Sequence, residues 1–233
     1  MRFRPLLWPT LMVLPMLAVL IGLGSWQLQR RDWKLQLIAE MQARLSAPEV
    51  ALDALPSDAG EYRRVTVSGD FDHAREVYWL TPGPDGGEPG FHVITPLLRA
   101  GKPAVLIDRG FVPVALKDPA NRPQGQRTGP VTVHGILRQS QPPGAFTPKD
   151  EPAQRLVYTR DVARIAAELG LGPAEAVFIE ADASPNPGGY PLGGQTVVTL
   201  RNEHLSYAIT WFGLAGALMM VYLLYHRSRG RLG

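Results

Sequence analysis

His204 differs from the other four histidines of the chain because a polar stretch meets a long apolar run at its position, in RNEHLSYAITWFGLAGALMM. On a helix, Tyr207 and Trp211 follow it by three and seven residues and share its face. A neutral imidazole can coordinate iron, and neighbouring aromatic rings can pack on a macrocycle. Arginines near the same level, Arg30 among them, could bond to the carboxylates of a porphyrin. One interpretation of these residues is a haem site.

A structural explanation of the same residues is also open, and the residue types alone favour it. Tyrosine and tryptophan concentrate at membrane interfaces whether or not a cofactor is present. Asn202 and His204 could bond to the unpaired amide groups of a first helical turn. The residue types alone therefore leave both an iron ligand and a helix-capping role for His204.

The remaining histidines are predicted to be structural, because none has a partner at catalytic spacing. His134 is expected at an exposed strand position and His73 in a turn. His92 is expected on a second strand and His226 in the basic C-terminal tail. The sequence contains no G-x-S-x-G elbow, no H-E-x-x-H helix and no P-loop. Asp108 and Arg109 end an apolar strand, and we expect them to form a structural ion pair. An enzyme is therefore disfavoured.

Two apolar runs must position the residues around His204. No Asp, Glu, Lys or Arg occurs from Pro5 to Trp26 or from Leu205 to Tyr225, which are stretches of 22 and 21 residues. At a rise of about 1.5 Å per residue, each makes a helix of roughly 30 Å, enough to cross a bilayer core. We predict transmembrane helices at 5–26 and 204–226. The first is expected to stay as an anchor, because it is longer than the core of a typical signal peptide.

The charged residues predict the orientation of these helices. All acidic residues lie between Gln27 and Glu203, whereas five arginines lie at the two ends: Arg2, Arg4, Arg227, Arg229 and Arg231. Basic ends mark the cytoplasmic side, so we expect 1–4 and 227–233 to be cytoplasmic. No transit peptide precedes the first run, which favours a bacterial inner (cytoplasmic) membrane and a periplasmic middle segment. The basic tails also explain the sequence pI of 9.3, so no nucleic-acid partner is implied.

The segment between the apolar runs predicts a helical stalk at 27–46 and one β-rich domain at 47–203. Short β-type runs lie near 62–71, 75–81, 90–99, 103–113, 130–138, 155–159, 176–181 and 195–200. One helix interrupts them, with Asp161 as its N-cap and Gly170 as its stop. The predicted fold class is a membrane protein with two transmembrane helices flanking a mostly antiparallel β (α+β) extracytoplasmic domain.

Small residues predict how the two apolar helices would pack. Gly213 and Ala217 form a small-x-x-x-small pair on the second helix, and Ala18 and Gly22 form one on the first. If these pairs meet, His204 lies on the opposite face of its helix. It would then point away from the helix contact.

Four motifs in order, GSWQLQRRDWK, PGFHVITPL, VLIDRGFVP and RNEHLSYAITWF, resemble the surfeit locus protein 1 family. The resemblance extends from Gly24 to about Trp211. That family consists of membrane assembly factors for haem–copper cytochrome c oxidase, and its bacterial members are thought to bind haem a and help deliver it. The resemblance therefore implies a chaperone of respiratory-chain biogenesis that catalyses no reaction.

By the same resemblance, the family's haem-associated histidine falls on His204, as the ligand of the haem iron. The family's Gly and Trp after the first helix fall on Gly24 and Trp26. The expected site for a transiently bound haem a consists of His204, Tyr207, Trp211, Trp26 and Arg30.

The expected partners are the main subunit of an aa3-type cytochrome c oxidase, haem a synthase and membrane lipids. The chain has no cysteine, which favours haem over copper delivery because copper carriers commonly use thiolates or methionine clusters. The alternative is an anchored interaction module that stabilises an oxidase subunit without binding haem.

Overall fold

The computed structural model describes residues 4–56, 59–196 and 200–231, apart from the side chain of Asp85. The chain forms two compact units, Met1–Met41 with Thr199–Gly233 and Gln42–Val198. The helices and strands in chain order are α1 (Leu7–Ser46), β1 (Val50–Ala51), β2 (Arg64–Phe71), β3 (Val77–Thr81), β4 (Gly90–Arg99), β5 (Lys102–Pro113), β6 (Pro130–Gln139), β7 (Leu156–Val157), α2 (Val162–Glu168), β8 (Ala174–Ala181) and α3 (His204–Ser228).

Helices α1 and α3 are each long and apolar enough to cross a membrane by length and composition. Helix α1 has 40 residues, or about 60 Å, and it runs from the apolar segment through 27–46 without a break. Pro15 lies inside it. Helix α3 has 25 residues and its first residue is His204.

Within this first unit, the contact between α1 and α3 lies on a different face from the one predicted. A side-chain carbon added at Gly22 or Gly213 would meet nothing within 4 Å, so the prediction that these glycines form the contact is wrong. Gly24 lies against the ring of Phe212 instead, at 2.7 Å from an added carbon to the nearest ring atom. Ala208 is buried on the same helix as Phe212. Small pairs four residues apart are common on apolar helices, so their presence alone does not select the packed face.

The second unit is built on a closed ring of five strands, β2, β6, β8, β5 and β4, in which β4 pairs back with β2. All pairings in the ring are antiparallel except β5 with β8, which is parallel. Alternate residues of the strands point inward and form a buried core that includes Val65, Val67, Leu97, Ile107 and Ile179. The predicted mostly antiparallel sheet is confirmed, and it closes into a barrel.

Strands β3 and β7 extend the sheet beyond the ring, and α2 packs there against β8. Asp161 caps α2, because its side chain accepts a hydrogen bond from the Arg164 amide. Gly170 follows the helix with a φ of +58°, as the predicted stop requires. Val162 and Ile165 of α2 are buried in a second cluster with Phe178. The predicted helical insertion is confirmed, whereas residues 197–199 of the strand predicted at 195–200 lie outside the described residues.

One glycine of β5 is required by a close backbone approach. Gly110 has a φ of +109°, and a side-chain carbon there would lie 2.0 Å from the Leu192 carbonyl oxygen. Phe111 exchanges two backbone hydrogen bonds with Leu192, so the loop after β8 lies directly on β5. Any other residue at position 110 would separate these two segments.

Candidate functional site

His204 lies at the start of α3 and contacts α1 through its ring. Its Nδ1 is 2.7 Å from Oε1 of Gln27, and the side chain is half-buried. Position 204 and the buried Ala208 are one turn apart, so they share the face that packs on α1. The prediction that His204 points away from the helix contact is therefore wrong. The error follows from the wrong choice of small residues for the packed face.

The polar side chains at the start of α3 do not make the capping hydrogen bonds that the structural explanation requires. The N-cap residue of α3 is Glu203, and its side chain makes no capping bond. The Oδ1 atom of Asn202 is buried and has no hydrogen-bond partner within the described residues. His204 uses its ring to bond to a side chain of the other helix. Within the described residues, the side chains of Asn202, Glu203 and His204 therefore do not cap the first turn of α3.

The bond to Gln27 determines which ring nitrogen of His204 carries the proton. A carbonyl oxygen can only accept, so Nδ1 donates and Nε2 keeps the lone pair of a neutral imidazole. No hydrogen bond to Nε2 occurs within the described parts of the chain. Histidines that bind metals are generally held in this way, with the second nitrogen donating to an oxygen that fixes the tautomer and the ring plane. The donor set at His204 fits an iron ligand.

The other predicted site residues lie on these two helices, but the structure does not join them directly to His204. Trp26 and Tyr207 are both about half exposed, at 52% and 54%. Trp211 is half-buried. Arg30 is one turn from Trp26 on α1, and its guanidinium carbon lies 3.9 Å above the ring centre of Trp33. Trp33 and Gln27 were missed from the sequence, although both stand in the GSWQLQRRDWK motif.

Comparison with known proteins places this arrangement in a family. The model of the SURF1 family matches residues 14–216. The chain belongs to the SURF1 family. It is 41% identical to surfeit locus protein 1 of Rattus norvegicus over 216 residues, covering 86% of this chain and 70% of that protein. It is 39% identical to surfeit locus protein 1 of Homo sapiens over 89% of this chain and 73% of that protein. It is also 39% identical to the SURF1-like protein of Monosiga brevicollis, over 91% and 85%.

The SURF1 family match includes His204 and Gln27 and ends before His226, which lies at the other end of the helix pair. His226 was expected in the basic C-terminal tail, and it lies instead in the last turn of α3, where it is fully buried. Its Nε2 accepts a hydrogen bond from the Leu6 amide at 3.0 Å, and its Nδ1 donates to the Tyr222 carbonyl at 2.9 Å. The Tyr222 hydroxyl bonds to Thr10 on α1 at 2.6 Å. Both nitrogens of this histidine are used to hold the helix ends.

The β unit brings together an acid–base pair that was not predicted. His92 on β4 and Asp108 on β5 are 2.8 Å apart, from Nδ1 to Oδ2. The predicted ion pair between Asp108 and Arg109 is wrong, because successive strand residues point to opposite faces. Arg160 is the nearest cation to Asp108, at 3.8 Å. Nothing in the local sequence marks this pair, since its members lie on neighbouring strands.

The surroundings of the His92–Asp108 pair are those of a structural network. The Arg160 guanidinium also bonds to Glu180, which accepts further bonds from Arg138 and from the Thr196 hydroxyl. The cavity beside the pair has a volume of about 10 Å³, which is too small for more than a water molecule. The charges here bond to one another and leave no room for a substrate.

Proposed function

We propose that this protein is a membrane-anchored, non-catalytic assembly factor for an aa3-type haem–copper cytochrome c oxidase. It binds haem a transiently through His204 and helps to transfer it to the main oxidase subunit. The observation that carries the proposal is the hydrogen bond from His204 Nδ1 to Gln27, which leaves Nε2 available. Membership of the SURF1 family supports the oxidase as the client.

Side chains of both α1 and α3 would hold the cofactor, each through a different interaction. Bound haem a would supply an iron that accepts a nitrogen lone pair. His204 would donate that lone pair, and Gln27 would hold the imidazole in the tautomer and orientation that present it. The exposed rings of Trp26 and Tyr207, with half-buried Trp211, offer apolar surface for a macrocycle. Arg30 offers a guanidinium for its carboxylates.

The same proposal places the protein in the bacterial inner membrane, and the two helices that are long and apolar enough to cross a bilayer support it. Both termini would be cytoplasmic and the β unit periplasmic, because the arginines concentrate at the chain ends. Reporter fusions test this directly. A fusion at Gly87 should report a periplasmic position and a fusion at Gly233 a cytoplasmic one. A cytoplasmic signal at Gly87 would overturn the topology.

The haem proposal is tested by the absorption spectrum of protein purified from cells that make haem a. Wild-type protein should show a Soret band, and His204→Ala should lose it while its abundance stays near normal. His134→Ala is the matched control, because His134 is a half-exposed histidine of the β unit whose ring bonds to Glu49. Its band should equal that of the wild type. If His204→Ala keeps an unchanged band, another residue is the ligand.

An interaction module that never binds haem is the second candidate function. The observation that favours it is the same bond, because a link between His204 and Gln27 also holds α1 to α3 without any cofactor. This candidate predicts no Soret band in the wild type even when haem a is abundant. It also predicts that His204→Ala and a substitution at Gln27 reduce binding of the oxidase subunit, measured by co-purification, to the same degree.

A further inference from the structure

Arg109 is a fully buried arginine that has no carboxylate partner. It is 2% exposed and is the largest of the fully buried side chains on the described residues. Its guanidinium donates to the Gly125 carbonyl and lies 3.4 Å from Nδ1 of His73. Its other neighbour is the ring of Phe71, at 4.7 Å. No acidic side chain in the described ranges lies within ion-pair distance of it, so its direct contacts are all with neutral groups.

His73 cannot supply the missing negative charge and does not add a positive one. Its Nε2 lies 2.8 Å from the Arg127 carbonyl and must donate to it, which leaves Nδ1 to accept from Arg109. Burial lowers the pKa of His73 below its usual value, and the charge of Arg109 lowers it further. The imidazole is therefore neutral at pH 7. Burial also lowers the pKa of Arg109 to about 10, so its guanidinium stays protonated at that pH.

The carboxylate that stabilises the charged form of Arg109 electrostatically is already bonded to a second buried arginine. Glu76 is fully buried, and its Oε1 accepts hydrogen bonds from Arg122 and from the Tyr78 hydroxyl. Two buried guanidinium groups therefore share one carboxylate. A buried cation without a counter-ion costs several kcal/mol, so an unbalanced arginine is rare in a protein interior unless it serves a ligand.

A cavity of about 60 Å³ lies beside Arg109. At roughly 10–15 Å³ for each water-sized atom, it has room for the four or five non-hydrogen atoms of a carboxylate or phosphate group. The residues that line it include Arg109, Arg127, Thr132, Ser184, His134 and Asp182. Arg127 is exposed and makes no ion pair within the described residues. The cavity thus joins a buried cation to an exposed one, with hydroxyl groups between.

Two other charged groups face this cavity. His134 is bonded to Glu49 at 3.0 Å, so its charge, when it is protonated, is already balanced. Asp182 accepts the Ser184 amide at 2.9 Å in a tight turn. One carboxylate therefore faces two guanidinium groups, and the lining is positive overall. The Asp182 carboxylate repels an anion in the cavity but does not outweigh the two guanidinium groups.

We propose that this cavity binds a small oxyanion, the carboxylate or phosphate group of a ligand, between the guanidinium groups of Arg109 and Arg127. Arg109 supplies a buried charge that is held in place by Gly125 and His73, and Arg127 closes the anion from the solvent side. The Ser184 hydroxyl can donate to a remaining oxygen, and the Thr132 hydroxyl can do so while it accepts from the Ser68 hydroxyl at 2.9 Å. This site belongs to the β unit and does not depend on the haem proposal.

The proposal is tested with the full-length protein in detergent, titrated with sodium phosphate or sodium acetate at constant ionic strength made up with sodium chloride. We expect phosphate or acetate, but not chloride, to raise the melting temperature of the β unit in a saturable way. A larger response to phosphate assigns a phosphate ligand, and a larger response to acetate a carboxylate. If neither anion exceeds chloride, the cavity does not bind oxyanions and the proposal fails.

Variants separate binding from a role of Arg109 in folding alone. Arg127→Gln changes an exposed residue, and it should raise the dissociation constant of the preferred anion at least about tenfold. Asp182→Asn should lower that constant severalfold, because it removes the one opposing charge. Arg155→Gln, which removes an exposed arginine outside the cavity, is the control and should bind as the wild type does. Equal binding by Arg127→Gln, Asp182→Asn and wild type would overturn the site. Arg109→Met should bind no anion if it folds.

Discussion

The two ends of the α1–α3 pair each hold a histidine that bonds across the pair, but the two histidines use their ring nitrogens differently. His204 and His226 are separated by about 33 Å at the helical rise. His226 is completely buried, and both of its nitrogens bond within the helix pair. His204 is half-buried and uses Nδ1 alone. The two histidines share their residue type and their place at a helix end, and they differ in whether the second ring nitrogen is bonded.

The same comparison separates two ways of joining helices. At the His226 end, a histidine bonds to the Leu6 amide just before α1 and a tyrosine bonds to the Thr10 hydroxyl of α1, so these polar groups are paired. At the His204 end, Asn202 keeps a buried oxygen without a partner and Nε2 of His204 is unbonded within the described residues. An end with unused polar groups is suited to meeting another molecule.

The largest expected effect on stability is at the His226 end. His226→Ala removes the acceptor of the buried Leu6 amide and leaves a cavity, which should lower the free energy of unfolding by about 3 kcal/mol. The haem spectrum of the protein that remains folded should not change. Denaturant titration in detergent, followed by tryptophan fluorescence, measures the loss. His204→Ala should lose no more than about 1 kcal/mol in the same titration, and equal losses would remove the distinction between the two ends.

A second expected effect tests how His204 is oriented. Gln27→Leu removes the oxygen that fixes its tautomer, and it should weaken haem a binding about 10- to 100-fold, as loss of a second-layer partner does at other metal sites. Gln27→Glu keeps an acceptor and should bind nearly as tightly as the wild type. Titration of haem a into the purified variants gives the affinities. If Gln27→Leu binds haem a as tightly as the wild type does, the hydrogen bond from His204 to Gln27 does not orient the imidazole for binding.

A third effect tests the packed face that brings His204 against α1. Gly24→Leu forces a side chain into the ring of Phe212 and should cost about 2 kcal/mol. Gly22→Leu is the matched control, since nothing lies within 4 Å of an added carbon there, and it should stay within about 0.5 kcal/mol of the wild type. Unfolding of both variants in detergent decides between the two glycines. The reverse order would restore the small-pair packing and turn His204 outward.

The smallest effect concerns one hydroxyl group at the His226 end. Tyr222→Phe removes the hydrogen bond to Thr10 and should lower the free energy of unfolding by about 1 kcal/mol. Tyr207→Phe removes a hydroxyl from a tyrosine that is 54% exposed near His204, and it should change stability little. The same denaturant titration compares them. A larger loss for Tyr207→Phe would mean that the His204 end also has a structural polar bond.

Local signals in the sequence predicted what depends on neighbouring residues. The cap at Asp161, the stop at Gly170 and the burial of alternate residues Val65 and Val67 all follow from spacing of a few positions, and the structure confirms them. Most predicted strand positions agree for the same reason, because alternation and turn residues are local. The two-residue strand β1 was missed, since so short a pairing leaves no periodic pattern.

The contacts that the sequence did not predict join residues that are distant along the chain. Gln27 and His204 are 177 positions apart, and His92 reaches Asp108 only because β4 and β5 pair in one register. Arg109 looked like half of an ion pair with its neighbour, although adjacent strand positions face opposite ways. Each of these contacts requires the strand order or the packed helix face, and neither is encoded in a short window.

The position of β8 in the ring has a consequence for how the β unit folds. Strands β5 and β6 are neighbours in the chain, but they do not pair with each other, and the gap between them is filled by β8, which begins at Ala174. Until that segment has been synthesised, β5 and β6 each keep an unpaired edge, and the apolar core between them stays open to water or to another chain. Long-range pairings of this kind form slowly. The nascent protein therefore passes through a period in which most of its strands exist but the barrel does not, and it is most exposed to aggregation then.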